Sequence, residues 1–238
     1  TQLQRTTEEM AFWNAAIAHE LRTPVTILRG RLQGLAEGVF TPDETQFRSL
    51  LNPVDGVARL IEDLRALSLA ESGHLYLHMQ AIDLDAEVES VVAFCQHAHQ
   101  MAGQRLVLDL DTPSAMCDPV RIRQALLALL DNARRYAAPG EVLIQTRQQN
   151  GWGILRVEDE GPGIPPESAS EVFTAFRRMH DCGETATDTG SGLGLAVVAA
   201  IARAHHGYAN CFHSRKGGAC FELRWPQHTL DRSTEEPP

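Results

Sequence analysis

The 238-residue chain is longer than one typical domain and too short for three, so two domains are expected. Its hydrophobic fraction of 43% with 22% charged residues is that of a globular protein, and no apolar run approaches the roughly 20 residues of a membrane span. A formal charge of −10 without any basic run excludes nucleic acid or anionic lipid as the main partner. The five cysteines are widely spaced and lack a CxxC pair, which predicts free buried thiols in a reducing, cytoplasmic compartment. Thr1 opens directly into polar, helix-forming sequence with no charged-then-apolar leader, as a piece cut from a longer chain would.

From Glu8 to Val39 the residues Ile17, Leu21, Leu28, Leu32 and Leu35 recur in steps of three, four or seven, the stripe of a long amphipathic helix. Phe40 to Asp43 break it, and a second stripe at Leu50, Val54, Val57, Ile61 and Leu64 runs to about Gly73, with a bend expected at Pro53 and Gly56. Two helices cannot hide both stripes, whereas two hairpins paired as a four-helix bundle can, so a homodimer is expected. After a connector at 74–82 the texture changes to alternating strands and helices. Helices are predicted at Asp85–Ala102, Pro119–Tyr136 and Leu193–His205. Strands are predicted at Leu106–Leu110, Val142–Arg147, Gly153–Glu158 and Ala219–Trp225. The fold class is therefore α+β. It comprises a helical hairpin over 1–73, a linker over 74–82, an α/β sandwich over 83–226 and a polar tail over 227–238 expected to be disordered.

His19 lies two residues from both Ile17 and Leu21, and at about 100° per residue it faces away from the stripe. An exposed spectator and a nucleophile fit that phase equally. Thr23 sits one turn on along the same face, Glu20 points about 100° aside, and Pro24 is expected to bend the helix just past His19. These residues, HELRTP from His19 to Pro24, resemble the H box of sensor histidine kinases. The resemblance implies that His19 attacks the γ-phosphoryl group of ATP, that Glu20 is its base, and that Thr23 positions water when a partner is dephosphorylated.

On the helix beginning at Pro119, Ala128, Asn132 and Arg135 line one flank, which read alone is as well explained by a solvated face as by a ligand site. An amide oxygen on Asn132 suits a hard cation and Arg135 suits a phosphate. LLDNARRY resembles the N box of the same family, implying Asn132 as a Mg2+ ligand and Tyr136 against adenine. The family usually has another asparagine where this chain has Ala128.

In the strand ending at Glu158, Leu155, Val157 and Asp159 share the apolar face, so Asp159 points inward. A turn former and a ligand acceptor are compatible readings of that carboxylate. DEGPGIP, with Gly161, Gly163 and Ile164, resembles the first glycine box, whose aspartate accepts a hydrogen bond from the adenine amine. Phe173, Phe176, Arg177 and Arg178 resemble the F box, followed by a polar lid over Met179 to Thr189 that is expected to be mobile without nucleotide. Gly190, Gly192, Leu193 and Gly194 resemble the second glycine box, where free amides at a helix start attract phosphate.

The five motifs occur in the family's order over nearly the whole chain. They imply the Bergerat ATP-binding fold, ATP and Mg2+ as cofactors, and transfer from His19 to an aspartate on a separate response regulator receiver domain. The membrane would be reached only through a sensory region outside this sequence. A regulator phosphatase with kinase activity weakened at Ala128, and a nucleotide-gated dimeric scaffold, are the alternatives. Sequence spacing gives no metal set for His97 with His99 or His205 with His206, and all four are expected at the surface. A GxxxxGK[ST] phosphate loop and a VAIK-type lysine are both absent, since the only lysine, Lys216, is followed by Gly217 and Gly218.

Overall fold

The computed structural model describes residues 2–169, 171–176, 190–214 and 216–227, with side chains from Trp13 onward. The expected tail beyond Gln227 lies outside the described residues. Two compact units, Thr1–Arg65 and Ala66–Pro238, divide the chain.

In the first unit, helix α1 (Gln2–Ala36) continues as helix through Pro24, and α2 (Glu44–Glu71) continues through Pro53. α1 stops where Gly38 adopts a left-handed φ of 73°, and the Val39 and Phe40 amides donate back to the Gly34 carbonyl at 2.8 and 3.1 Å. The Phe40 ring lies directly over Gly34, where a Cβ would collide with it. Asp43 caps α2 through Oδ1, which accepts from the Gln46 amide at 2.7 Å. Arg31 then ties the two helices by donating to the Ser49 carbonyl at 3.0 Å. Part of the apolar stripe stays in water, with Leu32, Val54 and Ile61 exposed, and Leu51 beside it is exposed as well.

In the second unit, a mixed five-stranded sheet has the order β2 (Gln104–Asp109), β4 (Gly140–Gln149), β5 (Trp152–Glu158), β7 (Ala219–Pro226), β6 (Tyr208–His213). β2 and β4 are parallel and the other pairs antiparallel. The register Ile144, Val157, Phe221 and the row Thr146, Leu155, Leu223 build the buried face, which the helices cover. Helix α4 (Pro119–Tyr136) lies between α3 (Leu84–Met101) and α5 (Gly194–Ala204), and buries Ile122, Leu126, Leu129 and Ala133. A small antiparallel pair, β1 (Gln80–Ile82) with β3 (Ala115–Cys117), closes one end.

The hairpin followed by an α/β sandwich is the expected architecture. Three strands, β1, β3 and β6, are additions to it. β1 and β3 are three residues each, too short for any period, and β6 is an edge strand exposed at four of its six positions. Two histidines expected at the surface are buried instead. His99 donates from Nδ1 to Gln104 Oε1 at 2.8 Å, and Gln104 in turn donates to the Ala133 carbonyl at 2.9 Å, which ties α3 to α4. His205 donates from Nδ1 to the Ile201 carbonyl at 2.9 Å and accepts from the Asp118 amide on Nε2 at 3.1 Å. Desolvation depresses both imidazole pKa values, so each is held neutral.

Candidate functional site

On α1, His19 is exposed while Ile17 and Leu21 are half-buried. Glu20 and Thr23 are half-buried beside it, and the Thr23 hydroxyl donates to the His19 carbonyl at 3.5 Å. This back-bond to the preceding turn is the usual resting place of a helical threonine hydroxyl.

The second cluster is assembled from four stretches of the sandwich unit. α4 starts at Asp118, whose Oδ1 accepts from the Val120 and Arg121 amides at 3.0 and 3.1 Å, with Pro119 in the first turn. Asp118 Oδ2 also accepts from the His78 amide at 2.9 Å, so one carboxylate fixes both the helix start and the preceding connector. One face of α4 is buried, and the adjoining flank carries Ala128, Asn132 and Arg135. Asn132 is half-buried, and its side chain makes no hydrogen bond among the described residues. Arg135 is held from Nε by Asp131 Oδ2 at 2.8 Å, while Asp131 Oδ1 takes Arg134 at 3.0 Å. Motif reading missed Asp131, although its i,i+4 spacing to Arg135 was visible.

Gly190 and Gly194 come onto this flank. A Cβ at Gly190 would stand 3.0 Å from the Tyr136 hydroxyl oxygen and 3.6 Å from Arg135 Nη1, and one at Gly194 would stand 3.6 Å from Ala128 Cβ. Between them, Gly192 has φ 66° and accepts on its carbonyl from the Phe176 amide at 2.9 Å. A Cβ there would meet Phe176 Cα at 3.1 Å, so the turn admits only glycine. Leu193 is fully buried and makes no side-chain cap, leaving the start of α5 to the Ser191 hydroxyl, which accepts from the Leu193 amide at 3.3 Å. The first glycine box reaches the same region from β5. A Cβ on Gly161 would sit 2.9 Å from Ala137 Cα, just past Tyr136, and Ile164 is half-buried. Phe173 packs edge-on against Phe221 at 6.4 Å between ring centroids. Arg177, Arg178 and the lid at 179–189 lie outside the described residues.

Asp159 ends β5 at 5% exposure. Oδ1 accepts from the Gly161 amide at 2.8 Å and from the Ala219 amide at 3.0 Å, while Oδ2 takes no partner among the described residues. The carboxylate thus acts as a turn former through Oδ1 and keeps Oδ2 for another acceptor role. Burial raises the Asp159 pKa, with those two amides opposing the rise and Glu158 adding to it. Such a group is an oriented acceptor with one oxygen to spare. No cluster of three or more His, Cys, Asp or Glu side chains suited to a metal occurs among the described residues. Asn132 with phosphate oxygens and water is nevertheless a fitting set for magnesium, an ion that keeps much of its hydration and needs few protein ligands.

Two family models match the chain. One, described as His Kinase A (phospho-acceptor) domain, covers residues 9–73, and the other, described as histidine kinase-, DNA gyrase B-, and HSP90-like ATPase, covers residues 117–229. The chain is 33% identical over 218 residues to the signal transduction histidine-protein kinase BaeS of Escherichia coli (strain K12), a match spanning 89% of this chain and 46% of BaeS. The solved structure of the Acinetobacter baumannii histidine kinase AdeS is 40% identical, with a TM-score of 0.69 over 89% of this chain and 98% of that one. The histidine kinase ThkA, solved in complex with the response regulator protein TrrA, shares the fold at a TM-score of 0.66 and 20% identity, over 96% of this chain and 65% of that one. The chain spans less than half the length of BaeS.

Proposed function

The chain belongs to the sensor histidine kinases of two-component systems, and from that membership we propose that it uses ATP to phosphorylate its own His19 and then passes the group to an aspartate of a response regulator. The observation that carries the nucleotide half is Asp159: a buried carboxylate with Oδ1 committed to two amides and Oδ2 open can accept from the adenine amine. Guanine offers a carbonyl at that place, leaving the buried oxygen unpaired, so the site selects adenine. Tyr136 and Ile164 bound the base, Phe173 backs the pocket, and Arg135, Arg177 and the amides of Gly190, Gly192, Leu193 and Gly194 hold the phosphates. Asn132 would hold Mg2+, which supplies charge neutralisation on the β- and γ-phosphates.

In the transfer step the imidazole of His19 forms a nitrogen–phosphorus bond as the bond from the γ-phosphorus to the bridging oxygen breaks, and ADP leaves. Glu20 takes the imidazole proton and keeps the ring oriented. Thr23 must leave its back-bond to position water in the separate phosphatase reaction, in which water attacks the phosphorus of the regulator's aspartyl phosphate and inorganic phosphate leaves. We assign residues 1–73 to phosphotransfer, 74–82 to the connector and 83–226 to ATP binding. The exposed stripe on α1 and α2 supports a homodimer. The described cysteines, all free, support the cytoplasmic side of a membrane sensor. No helix among the described residues is long and apolar enough to cross a membrane. Incubation with γ-labelled ATP is expected to give acid-labile label that is lost in His19→Gln; label retained in that variant rejects the assignment.

A second reading, a regulator phosphatase with weak kinase activity, is favoured by Ala128. It stands at Gly194 with no donor for a metal, on the flank where the family usually offers a second amide. Ala128→Asn is then expected to raise the labelling rate, and Thr23→Ala to abolish regulator dephosphorylation.

A further inference from the structure

Beside Asp159 the glycine turn carries a second carboxylate, Glu160, which no step above uses. Its Oε2 accepts from the Glu141 amide at the start of β4, at 3.1 Å. Room for it exists because residue 140 is glycine: a Cβ there would stand 2.5 Å from that oxygen. Glu160 Oε1 lies 4.0 Å from Lys216 Nζ, and the same ammonium pairs with Glu141 Oε1. Lys216 is the only lysine in the chain.

Lys216 rises from the turn joining β6 to β7, and that turn also holds Asp159. The Asp159 amide donates to the Ala219 carbonyl at 2.9 Å, and the Ala219 amide returns a bond to Oδ1. Gly218 backs so closely onto the Asp159 carbonyl that any Cβ would overlap it. Ser214 completes the turn by accepting from the Lys216 amide at 2.9 Å and donating to Glu158 at 2.5 Å. One hairpin therefore grips two adjacent residues of the adenine turn by different means, backbone for Asp159 and charge for Glu160.

We propose that Glu160, seated between the Glu141 amide and Lys216, is a positioning residue that fixes the direction of Asp159 Oδ2 and so sets affinity and selectivity for the adenine base. Gly161 and Gly163 follow immediately, and Gly163 already sits at φ 75°, so the turn after Asp159 has wide backbone freedom. The seat of Glu160 restrains that freedom at the peptide Asp159 shares with it. Lys216 and Glu160 are each more than a third exposed, so the pair contributes little to folding and shows its effect in ligand binding. The bond to Glu141 raises the Lys216 pKa and lowers that of Glu141, keeping both charged through neutral pH.

The inference rests on Asp159 being the adenine acceptor, and the test separates the two. Calorimetric titration of the whole chain with magnesium ATP and magnesium GTP is run on the parent, Glu160→Ala, Lys216→Met, Lys216→Arg and Asp159→Asn. Glu160→Ala and Lys216→Met are each expected to weaken ATP binding about three- to tenfold and to narrow the preference over GTP. The midpoint of thermal unfolding is expected to stay within about 1 °C, and the labelling rate at saturating ATP to stay at the parent value. Lys216→Arg is expected to restore parent affinity, and Glu160→Ala combined with Lys216→Met to bind no more weakly than Glu160→Ala alone. Parent affinity in Glu160→Ala, with binding lost in Asp159→Asn, overturns the proposal and leaves the adenine reading standing. Equal ATP binding by the parent and Asp159→Asn overturns both. An equal loss for ATP and GTP that follows a fall in unfolding midpoint shows a merely structural role and also overturns it.

Discussion

The two units solve opposite problems. The hairpin of α1 and α2 leaves large apolar side chains in water, with Leu51 57% and Ile61 53% exposed, and carries His19, the proposed phosphoacceptor, on a single exposed helix face. The sandwich buries its apolar residues between sheet and helices, and assembles its polar cluster from α4, the turn after β5, the start of α5 and the β6–β7 turn. On the proposed function, a surface that meets more than one partner gains from a chemistry written in one short segment. A pocket that must tell one base from another gains from convergence, because each wall then restrains the next.

That contrast breaks first at His19. His19→Gln is expected to reduce acid-labile label to background while ATP affinity, measured by calorimetry, stays at the parent value; a loss of nucleotide binding would show the units to be less independent. Ile61→Glu tests the exposed stripe. A charge placed there is expected to raise the dimer dissociation constant by about a hundredfold or more in sedimentation equilibrium, again with unchanged nucleotide affinity. An undisturbed dimer would assign the stripe to another occupant.

Within the sandwich, Asp159→Asn turns one oxygen of the acceptor into a donor, which on the proposed reading would face the adenine amine. The expected cost is about 1–3 kcal/mol, roughly five- to 150-fold in ATP affinity. Its folding consequence has the opposite sign. Burial raises this carboxyl above its ordinary value, so the fold binds its proton more tightly than the unfolded chain does, and stability drops as pH rises through that window. The ionised group thus costs stability at neutral pH, and Asp159→Asn is expected to unfold no earlier than the parent, provided its Oδ1 keeps both amides. A binding loss accompanied by a large fall in unfolding midpoint would mean that the carboxylate serves the fold.

Legibility in the sequence follows the same division. The limits of α4 could be read because Asp118–Pro119 starts it and the Ala-Pro-Gly after Tyr136 ends it, both local signals. The inward direction of Asp159 follows from alternation along β5, but the identity of its partners does not: Ala219 is sixty residues away and is supplied by the sheet register. The strand β6 is not legible, since an edge mostly in water shows little pattern. His99 and His205 were misplaced for a different reason. His99 stands seven residues after Val92, and His205 four after Ile201, so both continue buried stripes, and residue type was allowed to outweigh phase. The seat of Glu160 had no signal at all, because Glu141 and Lys216 lie on separate strands or turns.

Smaller effects sharpen the picture of how the sandwich is braced. Asp118→Ala removes the cap of α4 and the bond to the His78 amide, at an expected cost of about 1–2 kcal/mol in urea unfolding, with labelling by His19 retained.

Below this lies a pH effect carried by the two buried imidazoles. Desolvation holds both His99 and His205 below the ordinary imidazole value, with Gln104 and the Ile201 carbonyl partly offsetting it. As pH falls below about 6.5, the unfolded chain takes up protons that the fold refuses, so stability present at neutral pH is lost progressively towards the depressed values. Protonation of His205 would also turn Nε2 into a donor facing the Asp118 amide, breaking the contact between the end of α5 and the start of α4. Urea midpoints measured from pH 7.5 to 5 are expected to fall less steeply in His205→Asn than in the parent, whatever the variant's absolute stability. Equal slopes would mean that His205 titrates in the fold as it does in water, and that the α4–α5 junction is indifferent to its charge.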